Sequence, residues 1–305
     1  MQCGTALVGE TMTTQLQTPL DLDTLRQALE TRLAQLLPQA GNERDLVARA
    51  MRESTLAPGK RMRPLLLVLA ARGLGHQGEQ ALDLGCAIEM VHAASLVLDD
   101  MPCMDDACLR RGLPTTHLKF GQDVAILAAV ALLSRAFGVV ASIGELPGAL
   151  RAQLVASLAN AVGMQGLVRG QFQDLRDGAS PRTADDIALT NDLKTGVLFG
   201  AVLEMAALLG GADEATRAAL QGFALELGQA FQLYDDLQDN CAESAKDVGK
   251  DAGKSTFMAL LGEDKVRERL RAHVSQALIY LGQVYAADQD ISRYVRGMFA
   301  KAMVS

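Results

Sequence analysis

Leu22, Leu25, Leu29, Leu33, Leu36 and Leu37 recur at intervals of three and four, the spacing of a single helix face. The same period predicts helices over most of the chain. Asp45 to Glu53 forms a second, closed by Ala57-Pro58-Gly59. A short apolar helix from Pro64 to Ala71 has proline in its first turn, where a missing N–H is tolerated. Gln80 to Asp100 is a long central helix that Pro102 ends. Others are predicted over Asp123 to Ile143, Pro147 to Gly178, Thr183 to Leu209, Ala215 to Asn240, Ser255 to Leu261, Asp264 to Ala286 and Ser292 to Met303. No segment sustains period-two alternation and no Asn-Gly or Asp-Gly pair marks a hairpin. No repeat of solenoid length is evident. The pattern predicts one all-α domain over residues 21–305, many helices packed around a large central cavity. Residues 1–20, rich in Thr, Gln and Gly and without periodicity, read as a mobile extension.

Composition narrows the function classes. Hydrophobic residues make up 49% of the 305, enough for a sizeable core, while aromatics are 4% and Trp is absent. A net charge of -7 argues against a nucleic-acid surface. The five cysteines (3, 86, 103, 108 and 241) are scattered and form no C-x-x-C pair, which predicts reduced thiols and a cytoplasmic protein. No basic start followed by an apolar run predicts a secretory signal, and no unbroken apolar stretch predicts a membrane span.

The chemistry is concentrated in two acidic runs. Asp99, Asp100, Asp105 and Asp106 directly follow the apolar stretch Ile88 to Leu98. Carboxylates at the end of a buried helix need a counter-charge, and four Asp without a Lys or Arg among them imply a divalent cation. Asp235, Asp236 and Asp239 repeat the pattern. Asp235 and Asp239 share a helix face, and Gln232 stands one turn before Asp235. A single such run is often just a solvated helix end. Two of them, each closing an apolar helix, favour Mg²⁺, which takes few carboxylates and completes its octahedron with water and phosphate.

A phosphate needs cations. Lys60, Arg61 and Arg63 precede a helix start, where backbone N–H groups also favour anions. Arg110 and Arg111 follow the first acidic run, Lys194-Thr195 lies within a helix, and Lys246, Lys250 and Lys254 follow the second run. Together with the Asp runs they describe a pyrophosphate site bridged by metal. His92 lies seven residues before Asp99, about 10.5 Å along one helix face. It is either a satisfied core residue or a phosphate contact. Gly249 to Thr256 imitates a P-loop, but that motif needs Gly where Val248 stands and a strand before it.

In this order the motifs resemble the trans-prenyltransferases, or polyprenyl diphosphate synthases. They are Gly59-Lys60-x2-Arg63-Pro64, Asp-Asp-x4-Asp with Arg110-Arg111-Gly112, Lys194-Thr195, and Phe231-Gln232-x2-Asp235-Asp236-x2-Asp239. The likeness covers roughly residues 45 to 262. Glu89 to Asp106, and Gly163 to Val168 with Gly170-Gln171, look most like the bacterial geranylgeranyl diphosphate synthases of carotenoid pathways. The resemblance implies Asp99, Asp105 and Asp235 as ligands of Mg²⁺, more than one ion per site, with Asp100 and Asp239 in or beside that shell and Asp236 in the same catalytic run. It implies Arg110, Lys194, Thr195, Gln232 and Lys246 on the allylic diphosphate, with Lys250 the alternative to Lys246. It implies Lys60, Arg63, His92 and Arg111 on isopentenyl diphosphate, and a homodimer. Many relatives carry Asp where Val130 stands.

The resemblance also implies how product length is set. Relatives that stop at fifteen carbons carry a bulky aromatic five positions before the first Asp. Ala94 stands there here, with Ser95 beside it, so a deeper channel and a twenty-carbon product are expected. The alternatives are a farnesyl or longer-chain synthase, and a non-catalytic regulatory subunit, which would be expected to have lost carboxylates. A terpene cyclase fits less well: few aromatics are available to stabilise carbocations, and the second motif is rich in Asp.

Overall fold

The structure, a computed structural model, describes residues 21–177, 182–239 and 257–304. The proposed extension 1–20, Cys3, Cys241, Lys246, Lys250, Lys254 and the imitation P-loop lie outside them, as does the side chain of Asp239.

The leucine stripe forms α1 (Leu22–Leu36), which Asp21 caps by accepting from the N–H groups of Asp23 and Thr24. After α2 (Leu46–Leu56) and α3 (Met62–Gly73) comes α4 (Gln80–Asp99). Arg32 of α1 holds Asp83 of α4 through both arms of its guanidinium. A two-residue antiparallel ribbon, β1 (Leu109–Arg110) with β2 (Leu113–Pro114), and a five-residue helix, α5 (Thr116–Phe120), follow. Neither is long enough to leave a periodic signature, and the sequence reading has no counterpart for them. Next is α6 (Gln122–Ala141), packed along α4.

The expected helix Pro147 to Gly178 is two: α7 (Gly148–Val162) and α8 (Leu167–Asp177). The chain breaks at Gly163, which is extended, and at Gly166, where a Cβ would stand 2.1 Å from the carbonyl oxygen of Ala161. The expected helix Thr183 to Leu209 is α9 (Ala184–Asn191) and α10 (Val197–Leu209) joined by one π turn, Asp192–Gly196. Then come α11 (Glu214–Asp239), α12 (Phe257–Leu261), α13 (Glu263–Val284) and α14 (Asp290–Val304).

Buried apolar residues from Leu25 to Phe299 form one cluster, with α3, α4, α10 and α11 contributing long apolar runs. Among the described residues two helices, α4 and α6, are long and apolar enough to cross a bilayer by length and composition. Neither is an unbroken apolar run, since Asp83, Glu89 and His92 interrupt α4 and Ser134 and Arg135 interrupt α6. For α4 the core accounts for the apolarity, since residues 84–91 are all buried. Val130 lies on the outward face of α6, 59% exposed.

Candidate active site

The end of α4 is folded over by its own loop. Asp105 N–H donates to Asp99 O at 2.9 Å, Asp106 N–H to Met101 O at 3.0 Å, and Ala107 N–H to Asp100 O at 3.2 Å. Asp106 takes up a left-handed conformation (φ 48°) to make this turn. Residues six apart in sequence are thereby brought together at Asp99 and Asp105. Burial pushes the Asp99 carboxyl up to about 6; Lys194 opposes the rise and Asp105 adds to it. Asp100 points elsewhere. It is buried and accepts from Nε of Arg110 at 3.0 Å and from Nη2 of the same guanidinium. Burial raises its carboxyl too, against the pull of Arg110.

Glycines let three segments close on this corner. A Cβ on Gly170 of α8 would stand 2.4 Å from the backbone nitrogen of Lys194, and one on Gly228 of α11 2.7 Å from Gly196 Cα. Only the missing side chains allow α8 and α11 to press against the π turn. There Lys194 Nζ donates to Asp174 Oδ2 of α8 at 2.7 Å. Burial alone would lower the Lys194 ammonium, but Asp174, Asp99 and Asp105 outweigh it and hold the group above its ordinary range. Thr195 Oγ1 donates to Gln232 Oε1 at 3.2 Å, and Gln232 Nε2 donates to Asp236 Oδ1 at 2.9 Å. The π turn is therefore joined to the second acidic run by hydrogen bonds and to the first by charge.

A second corner collects cations beside α4. Arg63 is half-buried, its guanidinium 4.7 Å over the Phe199 ring and 6.0 Å from that of Phe231; burial lowers it, and Glu89 and Asp235 oppose the change. Its Nε has no hydrogen-bond partner among the described residues. Lys60 Nζ stands 5.8 Å from the ring centre of Tyr234. Arg111, left-handed at φ 55°, donates from Nη1 to Pro58 O at 2.9 Å. The His92 imidazole is held well below its ordinary range, first by burial and then by Arg63, Arg111, Arg110 and Arg61. It is neutral near pH 7.

Of the sequence-derived residues, hydrogen bonds and charge link Asp99, Asp105, Arg110 and Lys194 in one group, Thr195, Gln232 and Asp236 in a second, and Arg63, His92, Arg111 and Asp235 in a third, with Lys60 against Tyr234. Asp239 ends α11. Ser95 is half-buried, its Oγ donating to His92 O at 2.9 Å, whereas Ala94 is fully buried. Asp174 and Glu89 have no assigned role in the sequence reading, and Arg61 appears there only as one of three phosphate cations. Asp174 could have been found as the polar residue on the Gly170 face of α8, had the break at Gly163 been seen. A separate groove of about 690 Å³ lies between α7, α10 and α11, and none of the site carboxylates lines it.

Asp99, Asp105 and Asp235 offer hard carboxylate oxygens. Among the described residues, no three His, Cys, Asp or Glu side chains close into a cage. Carboxylate oxygens are the donor type that Mg²⁺ takes, alongside water and phosphate oxygens.

Residues 44–279 match the polyprenyl synthetase family. A geranylgeranyl diphosphate synthase of Pseudescherichia vulneris is 56% identical over 84% of this chain and 84% of its own length. One of Pantoea ananas is 52% identical over 91% of this chain and 92% of its own. Among solved structures, a Helicobacter pylori geranyltransferase complexed with magnesium and isoprenyl diphosphate superposes with a TM-score of 0.83, at 26% identity, covering 93% of this chain and 96% of that one.

Proposed function

The chain belongs to the polyprenyl synthetase family, and on that footing we propose that it is a geranylgeranyl diphosphate synthase. The observation that carries the reading is identity above 50%, over most of both chains, to two enzymes of that name. The gathered corners support it in physical terms. C1 of an allylic diphosphate loses its bond to oxygen as pyrophosphate leaves, the double bond of isopentenyl diphosphate forms the new carbon–carbon bond there, and the resulting cation then loses a proton.

Each corner has a part in that reaction. Asp99, Asp105 and Asp235 would hold Mg²⁺, which supplies positive charge to the departing pyrophosphate. Lys194, Arg110 and the Thr195–Gln232 pair would bind the same group, with Asp174 and Asp100 fixing the two cations. Preorganised charge of this kind lowers such a barrier more than any other single effect. Lys60, Arg63 and Arg111 would bind isopentenyl diphosphate, with neutral His92 as a hydrogen-bonding partner. No protein base is needed, because released pyrophosphate accepts the proton. Lys246 or Lys250 would complete the allylic side.

The proposal includes a cytoplasmic homodimer. Ile126, Leu127 and Val130 on α6 and Met164, Val168 and Phe172 by α8 are between 46% and 67% exposed, and apolar faces of this kind suit a second copy. It also assigns the depth of the tail channel to Ala94 and Ser95.

Purified protein with Mg²⁺, isopentenyl diphosphate and farnesyl diphosphate is expected to give a C20 alcohol after dephosphorylation and chromatography. A main product of another length contradicts the assignment, and turnover only in the presence of a partner chain favours a regulatory subunit. Ala94→Phe is expected to shorten the product; an unchanged length places the floor elsewhere.

A further inference from the structure

Arg61 is the middle cation of Gly59-Lys60-Arg61-Met62-Arg63, and it turns away from the site. Its side chain is 2% exposed and that of its partner, Glu89 of α4, is 6% exposed. Nη1 donates to Glu89 Oε1 at 2.8 Å, Nη2 donates to Ala57 O at 2.8 Å, and Nε lies 3.6 Å from the Glu30 carboxylate. The backbone of Arg61 is left-handed, φ 50° and ψ 34°, a conformation that costs any residue with a Cβ. Strain and buried charge persist together only where surrounding contacts hold them.

Here the holding contact runs from α4 to the turn that presents Lys60 and Arg63. Glu89 stands three residues before His92, so His92 and the turn are fixed to the same helix. Arg111 clamps the other side. A Cβ on Gly59 would stand 2.6 Å from Nη1 of Arg111, the nitrogen that donates to Pro58 O. The turn thus sits between two guanidiniums. The charge of Glu89 also opposes the effect of burial at both Arg63 and Arg111.

We infer that the Glu89–Arg61 pair is a positioning device for the isopentenyl diphosphate subsite, holding Lys60 and Arg63 in their receiving arrangement without touching substrate. This rests on the reading of that corner as the isopentenyl subsite. Arg61 and Glu89 are positioning residues, not catalytic ones.

The test is steady-state kinetics on the full chain with Mg²⁺, varying each substrate separately. Arg61→Met/Glu89→Met removes both charges at similar volume, Glu89→Gln keeps the shape and an acceptor, and Lys60→Ala reports on the subsite. The double variant is expected to raise KM for isopentenyl diphosphate about 30-fold and Glu89→Gln about fivefold, with KM for farnesyl diphosphate and kcat within about threefold. If Lys60→Ala raises that KM while both pair variants, folded by circular dichroism, leave it unchanged, the inference is overturned and the subsite reading stands. If Lys60→Ala has no effect on it, the subsite reading fails and takes the inference with it. Equal rises in both KM values mean a general structural role and also overturn it. Should the double variant not fold, Glu89→Gln decides by the same criteria.

Discussion

The two corners of the site hold their cations differently. On the side of Asp99, each cation is already paired with a carboxylate: Arg110 with Asp100, and Lys194 with Asp174. On the side of His92, Lys60 and Arg63 lean on aromatic faces, and Arg111 on backbone carbonyls. Aromatic quadrupoles and carbonyl dipoles orient a cation without cancelling its charge. The first corner is therefore electrically balanced or negative until divalent cations arrive, while the second is positive as it stands. It follows that one diphosphate should bind through metal and the other directly to protein.

The strongest perturbation breaks the first corner. Asp99→Asn or Asp235→Asn should lower kcat on the order of 10³-fold, as measured by single-turnover product formation, because charge stabilisation of the leaving group is lost. A loss confined to KM would remove the contrast. Arg63→Met breaks the second corner and should raise KM for isopentenyl diphosphate on the order of 10²-fold, leaving kcat at saturation nearly unchanged. Asp174→Asn loosens Lys194 from its partner and should cost about tenfold in kcat/KM for farnesyl diphosphate only.

The weakest effect is on stability. Because His92 is held below its ordinary value of 6.5, the unfolded chain binds the extra proton first. Its contribution is full above 6.5 and is lost as pH falls towards the lowered folded value, by at most about 1.4 kcal/mol per pH unit. Urea denaturation between pH 7 and 5 should show a shallower loss for His92→Gln than for the parent, and equal slopes would mean that His92 titrates freely.

How much of this the chain announces depends on the kind of feature. Leu22 to Leu37 and Glu214 to Asp239 are legible because a buried face repeats with the helix period, and Gln80 to Asp99 because it is a long apolar run, buried on every side over residues 84–91. The breaks at Gly163 and within 192–196 are not, because they arise from close backbone approaches at Gly166, Gly170 and Gly228 that no local pattern encodes. The acidic runs are legible from charge against an apolar background. Glu89 stands in such a background too, yet its partner Arg61 sits 28 residues away and reads, with its neighbours, as a phosphate cation. Asp100 reads with Asp99, although one peptide unit turns it about 100° around the helix axis, towards Arg110.

The most direct measurement is calorimetric titration with and without Mg²⁺, using isopentenyl diphosphate and an unreactive thio analogue of farnesyl diphosphate in turn. The account predicts that isopentenyl diphosphate binds with similar affinity in EDTA and in Mg²⁺, while the farnesyl analogue binds only when Mg²⁺ is present. Equal dependence of both ligands on the metal, or binding of the farnesyl analogue in EDTA, would contradict it.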